Sequence, residues 1–133
     1  MKFSTCTTYG LRAMINLAQN YNSGNVSLSS IALEEKISHK YLERIFAKLK
    51  KAGLIKSAKG ARGGYKLLIS PARINVHDII KALEGKMTLF YCLSEDGKVY
   101  CGNKCECGAT KVLLKVQQAV NNTLRNIKLS DLM

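Results

Sequence analysis

Four of the five cysteines fall within sixteen residues, in the order Cys92-x8-Cys101-x3-Cys105-x-Cys107, while the fifth, Cys6, stands alone near the start of the chain. Thiols at this density point to a metal or redox centre, because the thiolate is both a soft metal ligand and the reactive form of the side chain. Structural zinc needs four donors near tetrahedral geometry, and four cysteines supply them. Cys105-x-Cys107, however, is tighter than the usual Cys-x2-Cys knuckle. A metal-free switch is the other chemistry, in which an exposed thiol of low pKa oxidises to a sulfenate or a disulfide. Gly102 and Gly108 let the loop wrap tightly and suit each of these centres equally.

The elements around the loop are legible from periodicity. Leu11, Met14, Leu17, Ala18 and Tyr21 recur at helical spacing, and Asn22-Ser23-Gly24-Asn25 ends that helix. Ser27 is placed to cap a short second helix with Leu28, Ile31 and Ala32 on its apolar stripe. After a break at Lys36-Ile37, Ser38 caps a third helix whose Leu42, Ile45, Phe46 and Leu49 follow the i, i+3, i+4, i+7 pattern, with Gly53 set to stop it. Two strands follow, Leu54 to Ala58 and Tyr65 to Ile69, joined by Lys59-Gly60-Ala61-Arg62-Gly63-Gly64. Three helices followed by a β-hairpin predict a winged helix-turn-helix, a mainly α (α+β) fold.

Asn75 then caps a fourth helix through Val76, Ile79, Ile80 and Leu83, closed by Gly85. Beyond the cysteine loop, Val112, Leu113, Val116, Val120, Leu124 and Ile127 mark an apolar stripe on a helix from about Ala109 to Asn126. A helix of that length spans ~27 Å. It has too little of its own chain to pack against, so its stripe is expected to pair with the same helix of a second copy, giving a homodimer. The chain divides accordingly into a DNA-binding region, 1–74, and a region of helix, cysteine loop and dimerisation helix, 75–133.

Bulk properties narrow the partner. The chain has 133 residues, a net charge of +12, 47% hydrophobic and 23% charged residues, an ordinary globular composition with a strongly basic balance. From Lys36 to Arg73 there are eleven Lys/Arg residues against the single acid Glu43. Such a field attracts polyanions. Membrane-surface binding fits less well, since the charges lie on a patterned globular segment and not along one amphipathic helix. The N-terminus has no apolar signal core and no run approaches the ~18 apolar residues of a membrane span. A cytoplasmic chain is therefore expected. In that reducing compartment its cysteines read as ligands or sensors before disulfides.

If the third helix reads DNA, its outward residues are His39, Lys40, Glu43, Arg44, Lys48 and Lys51. Ser38, His39 and Lys40 lie at its N-terminus, where free amides favour a phosphate. Tyr41 is placed either to donate its hydroxyl to the DNA backbone or to pack in the core. Glu43 can accept from cytosine N4 and so select a base, or pair with a neighbouring cation one turn away. The glycine-rich tip suits a minor groove, with Lys59 or Arg62 entering it. A nucleotide-phosphate loop is disfavoured, because the segment joins two strands and lacks Gly-Lys-Ser/Thr.

In order along the chain, Tyr9-Gly10-Leu11-Arg12-Ala13-Met14, Ile37-Ser38-x-x-Tyr41-Leu42-Glu43, Leu49-x-Lys51-x-Gly53-Leu54, Gly60-x-x-Gly63-Gly64-Tyr65 and Leu124-x-x-Ile127-x-Leu129-x-Asp131-Leu132 resemble the Rrf-type winged-helix regulators of bacteria. That family includes the iron–sulfur regulators IscR and NsrR, and the resemblance spans nearly the whole chain. It implies a homodimer reading a roughly palindromic double-stranded DNA operator, with an iron–sulfur cluster near the dimer helix altering DNA affinity. By spacing, the three ligand cysteines of cluster-binding members correspond to Cys92, Cys101 and Cys107. The fourth ligand departs from the family: Thr110 stands where IscR-like proteins carry a His, and Thr8 where NsrR-like proteins carry an Asp. Cys105 and Cys6 are the available thiols for that place, and thiolate is the standard iron–sulfur ligand. With Lys98, Lys104 and Lys111 flanking the loop to offset cluster charge, an iron–sulfur cluster is favoured, 2Fe–2S ahead of 4Fe–4S, with zinc or a bare thiol switch as alternatives. No acid–base pair ties His39 or His77 to the loop, so an enzyme is not expected. A regulator signalling through a protein partner is the remaining class.

Overall fold

A computed structural model describes residues 3–100 and 107–133. Along the chain run α1 (Thr5–Gln19), α2 (Leu28–Glu35), α3 (His39–Lys51), β1 (Ile55–Ala58), β2 (Gly64–Leu67), α4 (Val76–Glu84) and α5 (Gly108–Asn126). Single 3-10 turns at Pro71–Arg73 and Leu129–Leu132 complete the architecture.

Each anticipated cap is formed. Ser27 Oγ accepts from the Ser30 amide at 3.1 Å, Ser38 Oγ from the Tyr41 amide at 3.2 Å, and Asn75 Oδ1 from the Asp78 amide at 2.8 Å. A cap of this kind is worth about 1 kcal/mol because it satisfies one amide that the helix start leaves without a partner. Lys36, in the left-handed region at φ 55°, ends α2 and turns the chain into α3. One expectation fails: Tyr21 lies beyond α1, in the following turn, and is exposed. Its spacing matched the stripe, but the helix stops at Gln19, where Asn20 takes over as C-cap.

The core gathers Met14 and Leu17 from α1, Ile31 from α2, Leu42, Ile45, Phe46 and Leu49 from α3, Ile55 and Leu67 from the hairpin and Ile79 from α4. Leu129 enters it from the far end of the chain. That return is fixed by backbone pairing, the Val76 amide donating to Ile127 O at 2.9 Å and the Leu129 amide to Ile74 O at 2.8 Å. Leu124 and Ile127 of the C-terminal segment meet Val76, Ile80 and Met87 in a second, smaller cluster.

β1 and β2 pair antiparallel, Ile55 opposite Leu67 and Ser57 opposite Tyr65. Val26, just ahead of α2, adds a bridge on the other side of β2: its amide donates to Tyr65 O at 2.8 Å and its carbonyl accepts from the Tyr65 amide at 2.7 Å. Gly64 makes this approach possible. Its φ is +141°, and a Cβ there would lie 2.5 Å from Val26 O. Gly64→Ala is therefore expected to destabilise the protein by about 1–3 kcal/mol and to speed hydrogen exchange of the Tyr65 amide. Unchanged stability with a protected Tyr65 amide would refute this account of the wing.

Candidate functional site

Helix α3 divides into three flanks, which follow from its caps and packing. The stripe Leu42, Ile45, Phe46 and Leu49 is buried. His39, Lys40, Glu43, Arg44, Ala47 and Lys51 are exposed on the opposite side. Ala47 sits among the charged residues and keeps the face shallow at its middle. Glu43 pairs with His39 Nδ1 at 3.4 Å, one turn away, so the lone acid of the basic field has a partner on its own helix. Ser38 sits at the N-cap with its hydroxyl accepting from the helix.

Two lysines make contacts that the sequence does not show. Lys48, exposed as expected, reaches toward α4 and donates to Leu83 O at 3.1 Å. Lys50, which periodicity did not single out, reaches the wing and donates to Ser57 Oγ at 2.9 Å. Tyr41 is half-buried and packs edge-on against Tyr9 of α1, with ring centroids 5.8 Å apart. Burial and the neighbouring Cys6 thiol raise the pKa of its phenol. On the wing, Lys59 and Arg62 are exposed, and Asn25 Nδ2 donates to Arg62 O at 3.0 Å, pinning the tip to the chain ahead of α2.

The segment after α4 is folded onto α5. Leu93 bridges Val99, Gly97 turns the chain at φ +83°, and the Tyr100 amide donates to Cys92 O at 2.9 Å. The described chain thus comes back to Cys92 at Tyr100, one residue before Cys101. Gln117 of α5 holds this hairpin from both ends of its amide, donating to Ser94 O at 2.8 Å and accepting from the Leu89 amide at 3.2 Å. Asn121 Nδ2 donates to Met87 O at 3.4 Å. Glu95 accepts from the Met87 amide at 2.7 Å and pairs with Lys81 of α4 at 3.4 Å, and the Met87 amide leads in holding its carboxyl below the usual range.

This docking inverts the ordinary amphipathic arrangement. Gln117 and Asn121, 2% and 3% exposed, are buried with Thr110, whereas Val112 and Val116 are 60% and 36% exposed. Of the apolar stripe expected to pair, Val112 and Val116 therefore face away from their own chain, whereas Leu124 and Ile127 pack onto α4. The buried polar face was not foreseen, and only the weak polarity of Thr110, Gln117 and Asn121 amid an apolar run could have signalled it.

Cys6, Cys92 and Cys107 are free, half-buried thiols, while Cys101 and Cys105 lie outside the described residues. Cys107 occupies the N-cap position of α5. The amide and hydroxyl of Thr110 and the amide of Ala109 lower its thiol pKa, as helix N-termini do, although none makes a strict capping bond. Cys6 Sγ lies elsewhere, 3.9 Å from Lys48 Nζ. Among the described residues no three His, Cys, Asp or Glu side chains converge on a metal position.

His77 begins α4 in a buried setting, its Nδ1 3.7 Å from the Asp78 carboxylate and its Nε2 without a hydrogen-bond partner among the described residues. Burial first, then the charge of Arg125, lower its pKa below the ordinary 6.5. The unfolded chain consequently binds this proton more readily than the folded one. The His77 contribution to stability is full above about pH 6.5 and is lost as pH falls from there toward the folded-state pKa. Denaturation midpoints should fall between about pH 7.5 and about pH 5.5, and His77→Gln should flatten that fall. An identical pH dependence in the variant would refute the assignment.

Comparison with known proteins agrees with this geometry. The profile of the Rrf2 family, described as an iron-dependent transcriptional regulator, matches residues 3–133. The HTH-type transcriptional regulator CymR of Bacillus subtilis is 37% identical over 132 residues, which cover 99% of this chain and 89% of that protein. Among solved structures, IscR of T. potens is 41% identical with a TM-score of 0.80, over 98% of this chain and 85% of that one. The structure of CymR, named as the global cysteine regulator of B. subtilis, has a TM-score of 0.85 at 36% identity, over 99% and 95%. Winged helix, C-terminal helix and sequence agree along the whole length, and the chain belongs to the Rrf2 family of transcriptional regulators.

Proposed function

We propose that the protein is a dimeric, sequence-specific DNA-binding regulator of the cytoplasm whose operator affinity is governed by an iron–sulfur cluster in the cysteine loop. Residues 1–74 read DNA and residues 75–133 sense and dimerise. Ser38, His39, Lys40, Glu43, Arg44 and Lys51 meet the major groove and its phosphates, with Tyr41 at the edge of that face. Lys59 and Arg62 enter the minor groove from the wing. The exposed Val112 and Val116 of α5 pair with the same helix of the second copy. No helix among the described residues is long and apolar enough to cross a membrane.

The observation that carries the cluster reading is the hairpin from Cys92 to Tyr100, docked by Gln117 on the helix whose N-cap is Cys107. The donor chemistry fits: both described loop thiols are free, and the start of α5 favours a thiolate at Cys107. Cys92, Cys101 and Cys107 would hold the cluster, with Cys105 or Cys6 in the fourth place. When bound, the cluster supplies an iron centre responsive to iron supply, oxidants and nitric oxide, 2Fe–2S being favoured over 4Fe–4S. The chain's own part is to tie the loop to α4 through Glu95 and Lys81 and to α5 through Gln117 and Asn121, so that loop state reaches both the reading helix and the dimer seam.

Anaerobic reconstitution followed by visible absorption, iron and sulfide analysis and operator binding tests this reading. Failure to incorporate iron and sulfide, or binding indifferent to the cluster, would overturn it. A second reading is favoured by the lowered Cys107 thiol together with the likeness to a cysteine regulator: a cluster-free protein switched by thiol oxidation, by zinc or by a protein partner. Operator binding by the purified metal-free protein, before and after oxidation, separates the two.

A further inference from the structure

The flank of α3 opposite the wing is a joint between three helices. Leu83 O belongs to the last turn of α4, where carbonyls lack partners within the helix, and Lys48 Nζ meets it at 3.1 Å. A cation at that end also complements the helix dipole. The Leu83 side chain abuts Gly10 of α1 so closely that a Cβ there would come within 2.3 Å of Leu83 Cδ1. Glu84 accepts from the Ser4 and Thr7 hydroxyls and from the Ser4 amide at 3.2 Å. Burial raises the Glu84 carboxyl, but these donors and the charge of Lys48 bring it below its usual pKa, so it stays anionic beside Lys48. The last turn of α4 is thus held by α1 on one side and by Lys48 on the other, and it leads through Gly85 directly into the cysteine loop.

We infer that Lys48 is a positioning residue for DNA recognition: its ammonium clamps α3 to the last turn of α4 and sets how α3 enters the groove, in place of neutralising a phosphate. This rests on α3 being the reading helix, and it makes the α4 end the route by which the loop acts on that helix. Lys51 serves as the contrast, because it is exposed on the outward face and its side chain has no hydrogen bond or ion pair among the described residues.

The test compares Lys48→Met, Lys48→Arg and Lys51→Met in the full chain. The probes are a duplex selected from random-sequence DNA by the wild type, and poly(dI-dC) as non-specific DNA. Lys48→Met should lower the preference for the selected duplex about tenfold, with the salt dependence unchanged, and Lys48→Arg should restore most of it. Lys51→Met should weaken both duplexes alike and reduce the slope of log K against log salt by about 0.9. Hydrogen exchange at the Gly85 amide, bonded to Lys81 O at 2.9 Å, should quicken in Lys48→Met while α1 amides stay protected. The proposal is overturned if Lys48→Met behaves as Lys51→Met does, or if preference and Gly85 exchange both match the wild type. A wild type that selects no duplex overturns the reading of α3 itself, and the exchange measurement then reports on the clamp alone.

Discussion

Cys92→Ala and Cys107→Ala are each expected to reduce iron and sulfide incorporation to background and to remove the difference in operator affinity between loaded and metal-free protein. In the wild type that difference should be about 5–150-fold, the usual span of coupling between two sites. The expectation follows from where the two thiols sit. Cys92 carries the hairpin that closes on Tyr100, and Cys107 is the N-cap of the helix to which the hairpin is docked. Both side chains are half-buried, and their truncation should cost under about 1 kcal/mol of stability, which keeps loss of fold from imitating loss of function. Cys6→Ala and Cys105→Ala, made separately, assign the fourth place: the variant that loses iron and sulfide has lost that ligand. Full incorporation in Cys92→Ala or Cys107→Ala would sink the ligand assignment.

The second large effect is structural. Phe46→Ala should destabilise the protein by about 3–5 kcal/mol, a large share of the 5–15 kcal/mol typical of a domain. Phe46 is fully buried where α3 meets the wing, and its ring stands edge-on to Tyr65 at 4.7 Å and 87°. Truncation leaves a cavity between helix and hairpin and strips Tyr65 of its partner, while Val26 still bonds to the Tyr65 backbone. The denaturation midpoint should drop at constant slope, and Phe46→Leu should recover roughly half of the loss. A change under about 1 kcal/mol would show that the helix and wing are held together elsewhere.

The parts of this protein that follow local rules were legible in its sequence. Ser27, Ser38 and Asn75 announce their helices because a cap is a contact between near neighbours, and Leu42, Ile45, Phe46 and Leu49 announce a buried face because α-helical periodicity is fixed. Contacts between distant segments were not legible. Nothing near Lys48 marks it as the partner of a carbonyl thirty-five residues away, so its charge and spacing read as groove-facing. The Val26 bridge to Tyr65 and the return of Leu129 to the core are hidden for the same reason. For Glu43 the local alternative was the realised one, with His39 as the partner in place of a lysine or arginine.

The inverted packing of α5 has a mechanical consequence. An apolar contact has no directional partner to lose, whereas a buried polar one does. The seam between the hairpin and α5 is held by directional bonds from Gln117 to Ser94 and Leu89 and from Asn121 to Met87. A shift of even one residue leaves buried amides and carbonyls without partners, at about 1–3 kcal/mol apiece. Such a seam resists gradual displacement. Under the proposed function, a change in the loop that broke this seam would therefore move α5 in a discrete step.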